Sequence, residues 1–300
     1  MKGTEILQAL SMAVEELAGN ATPSLVSVGS EHRSGTGVVV EKGRILTAGH
    51  VVHRLEEVEV GIDGGETIHA KVVGRNPYSD TALLEVPSPD LRPMKLGGEG
   101  EARIGQFVLA LARAHQGRPS VTSGVITGVN RQIGGWWRFS VGNAIVTDAR
   151  LNPGYSGGPL LNAQGQMIGM NVAYLSNRGI AVPADALNKD IERMMRGEGF
   201  KRAYLGIVSN SVSLPDDVTS KLELDQKSGL IVLSVEPESS AKKAGLALGD
   251  VLVKFGEKTV NNLQDLESML GEDAIGRETR LVVLRGEEPR ELTVVPSALE

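Results

Sequence analysis

The sequence predicts a mainly β protein built from two domains. Between Ser24 and about Ile180, short β-rich runs such as SLVSV, TGVVV and RILTA alternate with Gly, Pro, Asn or Asp, a pattern typical of closed or sandwiched all-β architecture. The chain has 37 glycines and only 3% aromatic residues, and glycine serves where a backbone turns sharply. A length of 300 residues exceeds the usual size of one domain.

The first twenty residues predict an N-terminal amphipathic helix, residues 1–20. Apolar side chains recur at helical spacing through a segment rich in Glu, as in a helix with one buried face. We expect this face to cover the following domain. An oligomer contact and docking on a membrane surface are alternatives, although no basic face supports the second. The apolar positions are Ile6, Leu10, Ala13 and Leu17.

The all-β domain is predicted over residues 21–196, and the helical pattern of PADALNKDIERMMRG ends it. The segment GEGFKRA, residues 197–203, is the linker. Residues 204–300 form the second domain, with strands in YLGIVSN, GLIVLSV and DVLVKF and a closing hairpin in RLVVLRG and RELTVVP. Its helix, NNLQDLESML, has leucines at spacings of three and four, and Asn261 or Asn262 is placed to cap it.

Composition excludes several classes of protein. A net charge of -6 with scattered Lys and Arg gives no basic surface for nucleic acid, so no nucleic-acid partner is expected. The absence of cysteine excludes disulfides, a thiol nucleophile and thiolate metal sites. There is neither a G-x-x-x-x-G-K-[ST] loop for ATP nor an H-E-x-x-H motif for zinc. We therefore expect no cofactor and no metal.

The N-terminal segment has no apolar core of signal-peptide length, and no stretch approaches the roughly 20 apolar residues that cross a bilayer. As written, the chain is therefore expected to be cytoplasmic. It would be extracytoplasmic if the sequence is truncated.

One string, NPGYSGGPL at residues 152–160, carries the sharpest chemical signal. Ser156 stands in a glycine-rich turn, where its hydroxyl is unshielded and backbone N–H groups can converge on one point. Taken alone, the string also fits an idle serine in a surface turn. A serine nucleophile needs a base and a group that orients the base.

His50, in RILTAGHVV, and Asp80, at the start of DTALLEV, are the candidates for those two roles. The order His, Asp, Ser differs from that of subtilisins and α/β-hydrolases and matches the chymotrypsin type. Asp148 is a rival for Asp80, but its place eight positions before Ser156 suits a structural role in the serine loop better.

Four motifs in this order resemble the HtrA (high-temperature requirement) family of trypsin-like serine proteases with PDZ domains. They are SGTGVVV at residues 34–40, TAGHVV, SDTALLEV and NPGYSGGPL, and QMIGMNVA and GIAVPAD extend the resemblance to about residue 185. It implies a chymotrypsin-like double six-stranded β-barrel. It also implies that the substrate pocket comprises Arg150, Asn171, Val172, Ala173 and Ala181.

The resemblance implies an acyl-enzyme mechanism in a His50, Asp80 and Ser156 triad, with the N–H groups of Gly154 and Ser156 as the oxyanion hole. Because the imidazole must be neutral to act as the base, activity is expected to fall in acid.

This chain departs from the family pattern at two positions. Tyr155 stands where the family usually has Asn, so a bulky ring is expected beside the site. Arg150 stands where a small residue is usual. An inward Arg150 would favour acidic substrates, whereas an outward or salt-bridged Arg150 avoids burying a charge.

The second domain resembles the α+β PDZ domains of this family through GLALGDVL at residues 245–252 and the helix that follows. The segment Tyr204, Leu205, Gly206 and Ile207 resembles the loop that binds a terminal carboxylate, next to a strand edge that accepts a peptide. The partners implied are therefore peptide C-termini.

The resemblance implies an ATP-independent endopeptidase that hydrolyses unfolded or damaged proteins in protein quality control. A chaperone or peptide-binding scaffold in which cleavage is secondary is the alternative. A homo-oligomer, a trimer or a multiple of one, is also implied. Trp136 and Trp137 are candidates for a subunit or PDZ contact, and a simple hydrophobic anchor is the alternative for them.

Overall fold

The computed structural model describes residues 3–30, 33–62, 65–87, 91–98, 100–113, 118–136, 139–221, 225–286 and 288–298. The chain divides into two compact units, Met1–Gly199 and Phe200–Glu300, which we call the barrel unit and the C-terminal unit. Within the described ranges, no helix combines the length and apolar character needed to cross a bilayer.

Six antiparallel strands close the first barrel in the order β1-β2-β3-β6-β5-β4. Pairing of Val28 with Val60 joins β1 to β4 and closes the circle. The run TALL at the start of β6 is buried, as its three apolar residues predict. The strands are Leu25–Ser30 (β1), Arg33–Glu41 (β2), Arg44–Ala48 (β3), Glu57–Gly61 (β4), Thr67–Asn76 (β5) and Thr81–Glu85 (β6).

The second barrel closes in the order β10-β11-β12-β9-β8-β7, with Leu160 of β10 paired to Ala110 of β7. The predicted mainly β chain with a double six-stranded barrel is confirmed. Trp136 ends β8, and Trp137 lies outside the described residues. The strands are Phe107–Arg113 (β7), Pro119–Trp136 (β8), Phe139–Thr147 (β9), Pro159–Asn162 (β10), Met167–Leu175 (β11) and Arg178–Pro183 (β12).

The N-terminal helix α1, Gly3–Ala21, is covered over its last turns only. Val14 and Leu17 pack against the barrel core. Ile6 and Leu10 were expected to face the same way, but they are 49% and 47% exposed. The expectation that the whole apolar face covers the domain is therefore wrong for the first half of the helix. A short 3-10 helix, Thr22–Ser24, leads from α1 into β1.

Helix α2, Ala184–Met195, packs across both barrels against β5, β6, β11 and β12. Its inner face buries Leu187 and Met194, as the helical spacing predicts. Asp190 lies on the same face and is also buried. A carboxylate at a core position needs hydrogen-bond partners, and these partners belong to the segment that carries Asp80.

A buried threonine in β2 joins the two barrels. The Thr36 N–H donates to the Ser156 carbonyl at 2.8 Å, and its hydroxyl donates to the Gly154 carbonyl at 2.7 Å. The same hydroxyl accepts from the Arg113 N–H at 2.9 Å, and the Thr36 carbonyl accepts from the Thr47 hydroxyl at 2.7 Å. We call this set of four hydrogen bonds the Thr36 clamp. It fixes the turn that carries Ser156 against the first barrel.

The C-terminal unit is built on a sheet with the strand order β14-β15-β16-β18-β19, with β17 on β16 and a separate β13-β20 pair. Asn262 caps α5 by accepting from the Asp265 N–H at 3.0 Å, one of the two caps predicted. The strands are Ala203–Tyr204 (β13), Ile207–Ser213 (β14), Ser228–Val235 (β15), Val251–Phe255 (β16), Lys258–Thr259 (β17), Thr279–Arg285 (β18), Glu288–Val294 (β19) and Ser297–Ala298 (β20). The helices are Asp216–Lys221 (α3), Ser240–Lys243 (α4), Leu263–Met269 (α5) and a 3-10 turn, Glu272–Ala274.

Replacing Thr36 by Val tests the clamp. Valine has the shape of threonine without the hydroxyl, so the buried Arg113 N–H and Gly154 carbonyl each lose a partner. We expect the barrel unit to lose about 1–3 kcal/mol of unfolding free energy, measured by urea denaturation of the full chain. Thr36→Ser keeps the hydroxyl and should lose less. Equal midpoints for Thr36→Val and the wild type would show that the clamp contributes nothing.

Candidate active site

Strand pairing brings His50 and Asp80 together. β3 and β6 run side by side up to the pair Ala48 and Thr81. His50 lies just after Ala48 in the sequence, and Asp80 lies just before Thr81. The His50 Nδ1 atom lies 2.5 Å from Asp80 Oδ2, and the His50 backbone N–H donates to Asp80 Oδ1 at 2.7 Å. Asp80 thus accepts from both the ring and the backbone of His50.

This contact orients the imidazole for base chemistry. When Nδ1 carries the proton that Asp80 accepts, Nε2 has a free lone pair. The His50 side chain is 51% exposed and that of Asp80 is 13% exposed, so the base is accessible and its partner is sheltered. The other described histidines, His53 and His69, are exposed; the remaining two, His32 and His115, lie outside the described residues.

The turn that carries Ser156 lies between β9 and β10 and is fixed by its own backbone. The Tyr155 N–H donates to the Asn152 carbonyl at 3.1 Å, and the Gly157 N–H donates to the Asn171 carbonyl at 2.7 Å. In contrast, the N–H groups of Gly154 and Ser156 donate to no acceptor among the described residues. Two unpaired donors on one turn next to a serine hydroxyl are what an oxyanion hole requires.

Glycine is required at position 157, where φ is +86°. A Cβ atom there would lie 2.0 Å from the Thr36 carbonyl oxygen, so no side chain fits between the turn and β2. Gly35 has a similar role, since its Cβ would lie 2.8 Å from the Ser156 carbonyl oxygen and 2.6 Å from Val51 Cγ2. Ser156 and the residue after His50 therefore flank the same glycine.

The Ser156 hydroxyl makes no hydrogen bond to any residue that the structure describes. Its link to the first barrel runs through its carbonyl and the Thr36 clamp. The hydrogen bond between a catalytic hydroxyl and its base is often long in the absence of substrate. The structure thus brings His50 and Asp80 into direct contact and places Ser156 across the seam between the barrels.

Tyr155 does not border the site as expected. Its side chain is 3% exposed and belongs to the same buried cluster as Leu151 and Ala181. Burial raises the pKa of the Tyr155 hydroxyl, and a hydrogen bond with Thr122 acts in the opposite direction. The Thr122 hydroxyl itself donates to the Arg150 carbonyl at 2.8 Å. The ring therefore anchors the serine turn in the core of the second barrel.

Arg150 and Asp148 are both exposed. The exposure of Arg150 fits the outward alternative, which avoids burying a charge, and its assignment to the substrate pocket stays a prediction. Asp148 Oδ1 accepts from the Val125 N–H at 2.6 Å, so this carboxylate connects the end of β9 to β8. Asp148 thus makes a structural contact, although between two strands and not within the serine loop as expected.

The assignment of the other four pocket residues stays a prediction, and the structure adds where their side chains lie. Asn171, Val172 and Ala181 are buried because their side chains fill the barrels, and Ala173 alone is partly exposed. The Asn171 side chain donates to the Pro159 carbonyl at 3.1 Å. Asn171 therefore supports the end of the serine turn through its hydrogen bond to Pro159.

Sequence reasoning missed two residues, Thr36 and Asp190. Thr36 lies between two glycines of the SGTGVVV motif, and a polar residue in such a strand is a signal that could have been followed. Asp190 follows Leu187 by three positions and precedes Met194 by four, which places a carboxylate on an otherwise apolar helix face.

The predicted carboxylate loop of the C-terminal unit has two free amides. The N–H groups of Leu205 and Gly206 donate to no described acceptor, while their carbonyls accept from Ala241 and Glu236 at 2.8 Å each. Gly206 has φ of +79°. Strand β14 follows directly and lies at the edge of its sheet.

Family models agree with this division of the chain. Residues 35–170 match a model described as a trypsin-like peptidase domain, and residues 204–295 match a model of a PDZ domain.

Several curated proteins are similar to the chain over most of its length. A probable periplasmic serine endoprotease DegP-like of Halomonas elongata is 32% identical over 273 residues, which cover 88% of this chain and 56% of the relative. The periplasmic serine endoprotease DegP of Salmonella typhimurium is 32% identical over 269 residues, 87% of this chain and 55% of the relative. The periplasmic pH-dependent serine endoprotease DegQ of Escherichia coli is 30% identical, with 87% and 58% covered. The chain thus spans a little over half the length of these relatives.

Solved structures share the fold. The HtrA-type protease AlgW with tripeptide is 26% identical with a TM-score of 0.77, covering 95% of this chain and 96% of that chain. The serine endoprotease from Yersinia pestis is 26% identical with a TM-score of 0.74, covering 95% and 98%.

These comparisons also correct one expectation. The chain as written was expected to be cytoplasmic, whereas the relatives are named as periplasmic proteins. With its paired family domains and these relatives, the chain belongs to the HtrA family of trypsin-like serine proteases that carry a PDZ domain.

Proposed function

We propose that the chain is an ATP-independent serine endopeptidase that hydrolyses unfolded or damaged proteins, with Ser156 as its nucleophile. The observation that carries the proposal is the 2.5 Å contact of His50 Nδ1 with Asp80 Oδ2, because a serine is a weak nucleophile until an oriented base takes its proton. Family membership and the unpaired N–H groups of Gly154 and Ser156 support it.

In the proposed mechanism, the Ser156 hydroxyl attacks a peptide carbonyl while His50 Nε2 takes its proton. Asp80 stabilises the imidazolium that forms. The N–H groups of Gly154 and Ser156 stabilise the oxyanion, and the loss of one such donor typically costs about 3 kcal/mol of transition-state stabilisation. His50 then protonates the departing amine, and water releases the acyl group by the same steps in reverse.

The C-terminal unit would bind the C-termini of peptides in this proposal. A terminal carboxylate would accept from the free amides of Leu205 and Gly206, and the peptide would extend the sheet along β14 as an added strand. We further propose that the protein acts outside the cytoplasm, since its relatives are named as periplasmic.

Substituting Ser156 and His50 tests the nucleophile and its base. Ser156→Ala and His50→Ala should each lower the hydrolysis of denatured casein by the full-length protein at least about 10⁴-fold. Two matched controls, Ser27→Ala in β1 and the exposed His53→Ala, should retain activity. A wild-type protein that binds casein without cutting it would contradict the protease proposal and favour the chaperone alternative.

Asp80 and Asp148 are the two candidates for the carboxylate that orients His50, and substitution of each by Asn distinguishes them. Asp80→Asn cannot hold the productive imidazole tautomer, so kcat should fall about 10⁴-fold. Asp148→Asn keeps an oxygen to accept from Val125 and should leave kcat close to that of the wild type. The reverse result in peptide hydrolysis would transfer the role to Asp148.

Peptide binding tests the carboxylate loop, using full-length Ser156→Ala so that the peptide is not cleaved. A fluorescent peptide with a free C-terminus should bind, and the same peptide with a C-terminal amide should not.

Adding Gly206→Ala should weaken binding at least about 10-fold, because residues with a Cβ disfavour positive φ and this Cβ would lie 2.2 Å from that of Ser239. The matched control is Gly276→Ala, which also has positive φ but open space around its Cβ. Equal affinity for the acid and the amide would rule out carboxylate recognition.

A further inference from the structure

Helix α2 carries a buried carboxylate that the proposed chemistry does not use. Asp190 is 7% exposed. Its Oδ1 accepts from Asn76 Nδ2 at 2.9 Å, and its Oδ2 accepts from Ser79 Oγ at 2.6 Å and from Thr81 Oγ1 at 2.8 Å. All three donors are neutral side chains. Burying a carboxylate is costly unless it is fully hydrogen-bonded, and a hydrophobic residue would stabilise the helix more simply.

The three donors surround Asp80 in the sequence. Ser79 and Thr81 are its immediate neighbours, and Asn76 closes the turn before it by accepting from the Tyr78 N–H at 3.0 Å. Asp190 therefore bonds to both sides of the residue that holds His50. It also connects that turn to a helix that packs on both barrels.

Asp80 needs such support because its backbone is in an unfavourable conformation. Its φ is +57°, in the left-handed region that is uncommon for residues other than glycine, although Asp adopts it more often than most. Such a conformation persists only where the surroundings enforce it. On the His50 side, the Gly49 N–H donates to the Asp80 carbonyl at 2.8 Å, and the absence of a Cβ on Gly49 leaves room for the Asp80 carboxylate. On the other side, the support comes from Asp190.

We propose that Asp190 is a positioning residue for catalysis: through Ser79, Thr81 and Asn76 it holds Asp80 in the left-handed conformation that brings its carboxylate to His50. This inference rests on the proposed protease function. It adds a buried carboxylate on α2, outside the triad, on which the turnover rate depends. The side-chain partners of Asp190 are Asn76, Ser79 and Thr81, so in this proposal it acts through the Asp80 segment.

The test measures kcat and KM for a peptide substrate with the full-length chain, together with the urea midpoint. Asp190→Ala removes every acceptor, so Asp80 should relax and kcat should fall about 10²-fold, the cost of an ångström-scale misplacement of a catalytic group. KM should change less than about 2-fold, because the residues that bind substrate are untouched. Asp190→Asn retains a single carbonyl oxygen as acceptor and should show an intermediate loss of kcat.

Asn162→Ala is the matched control. Asn162 is 3% exposed and its side chain makes three hydrogen bonds, to the Gln166 side chain and to the backbones of Gln164 and Gln166, but it lies in the second barrel. It should lower the urea midpoint while leaving the kcat of the folded protein unchanged. A purely structural role for Asp190 would give the same pattern in Asp190→Ala, and that pattern would overturn the proposal.

A double-mutant cycle covers the case in which Asp190→Ala does not fold. Ser79→Ala removes one donor at a partly exposed position and should lower kcat on its own. The Ser79→Ala/Asp190→Asn pair should lose less than the product of the two single effects, because both substitutions alter the same contact between positions 79 and 190. Multiplicative losses would show that Ser79 and Asp190 act independently, against the proposal.

One readout does not depend on activity. A proton NMR resonance of His50 Nδ1–H should lie far downfield in the wild type and in Asn162→Ala, and it should shift or broaden in Asp190→Ala. An unchanged resonance in Asp190→Ala would overturn this inference alone. An inactive wild type that still shows the resonance would instead refute the proposed function.

Discussion

Two hydrogen bonds from Thr36 to the carbonyls of Gly154 and Ser156 hold the turn with the proposed nucleophile against the barrel that carries His50 and Asp80. The proposed nucleophile and its proposed base come from different barrels, so their alignment depends on the position of one barrel relative to the other. A shift of about an ångström at this seam would be enough to slow the reaction about a hundredfold. Gly157 makes the contact possible, because any side chain there would collide with the Thr36 carbonyl.

The other supports of the site are also buried polar groups. Tyr155 anchors the serine turn in the core of the second barrel, and its hydroxyl bonds to Thr122. Asn171 donates to the Pro159 carbonyl at the end of the turn, and Asp190 supports the segment around Asp80. Such groups add little net stability, because burying them offsets much of what their hydrogen bonds contribute. Their effect is geometric, since each permits only one arrangement of the chain around it.

The sequence was sufficient to predict the fold, and it supplied the residues of the proposed triad. Short apolar strands between glycine-rich turns predicted the barrels, and the order of His50, Asp80 and Ser156 within their motifs predicted the proposed triad. Side-chain direction was harder to predict. Arg150 and Tyr155 lie close together in one loop, yet one is exposed and the other is buried. Their directions depend on which space the second barrel leaves open, and that space is formed by residues distant in the sequence.

The same limit applies to side-chain burial on the predicted strands and along α1. Asn171, Val172 and Ala181 lie on the predicted strands, but burial on both faces of a closed barrel is a tertiary property. In α1, the apolar spacing correctly predicted a helix. The spacing does not determine how much of the helix is covered by the barrel. The role of Asp190 could not be predicted for a related reason, since its hydrogen-bond partners are more than a hundred positions away in the sequence.

A crystal structure of the full chain inactivated by a peptidyl phosphonate would test the geometry of the site most directly. The account predicts phosphorus bonded to Ser156 Oγ, with the phosphonyl oxygen about 2.7–3.1 Å from the nitrogens of both Gly154 and Ser156. His50 should remain bonded to Asp80, and the Thr36 clamp should be intact. A phosphonyl oxygen directed away from these two nitrogens, or a His50 ring released from Asp80, would contradict it.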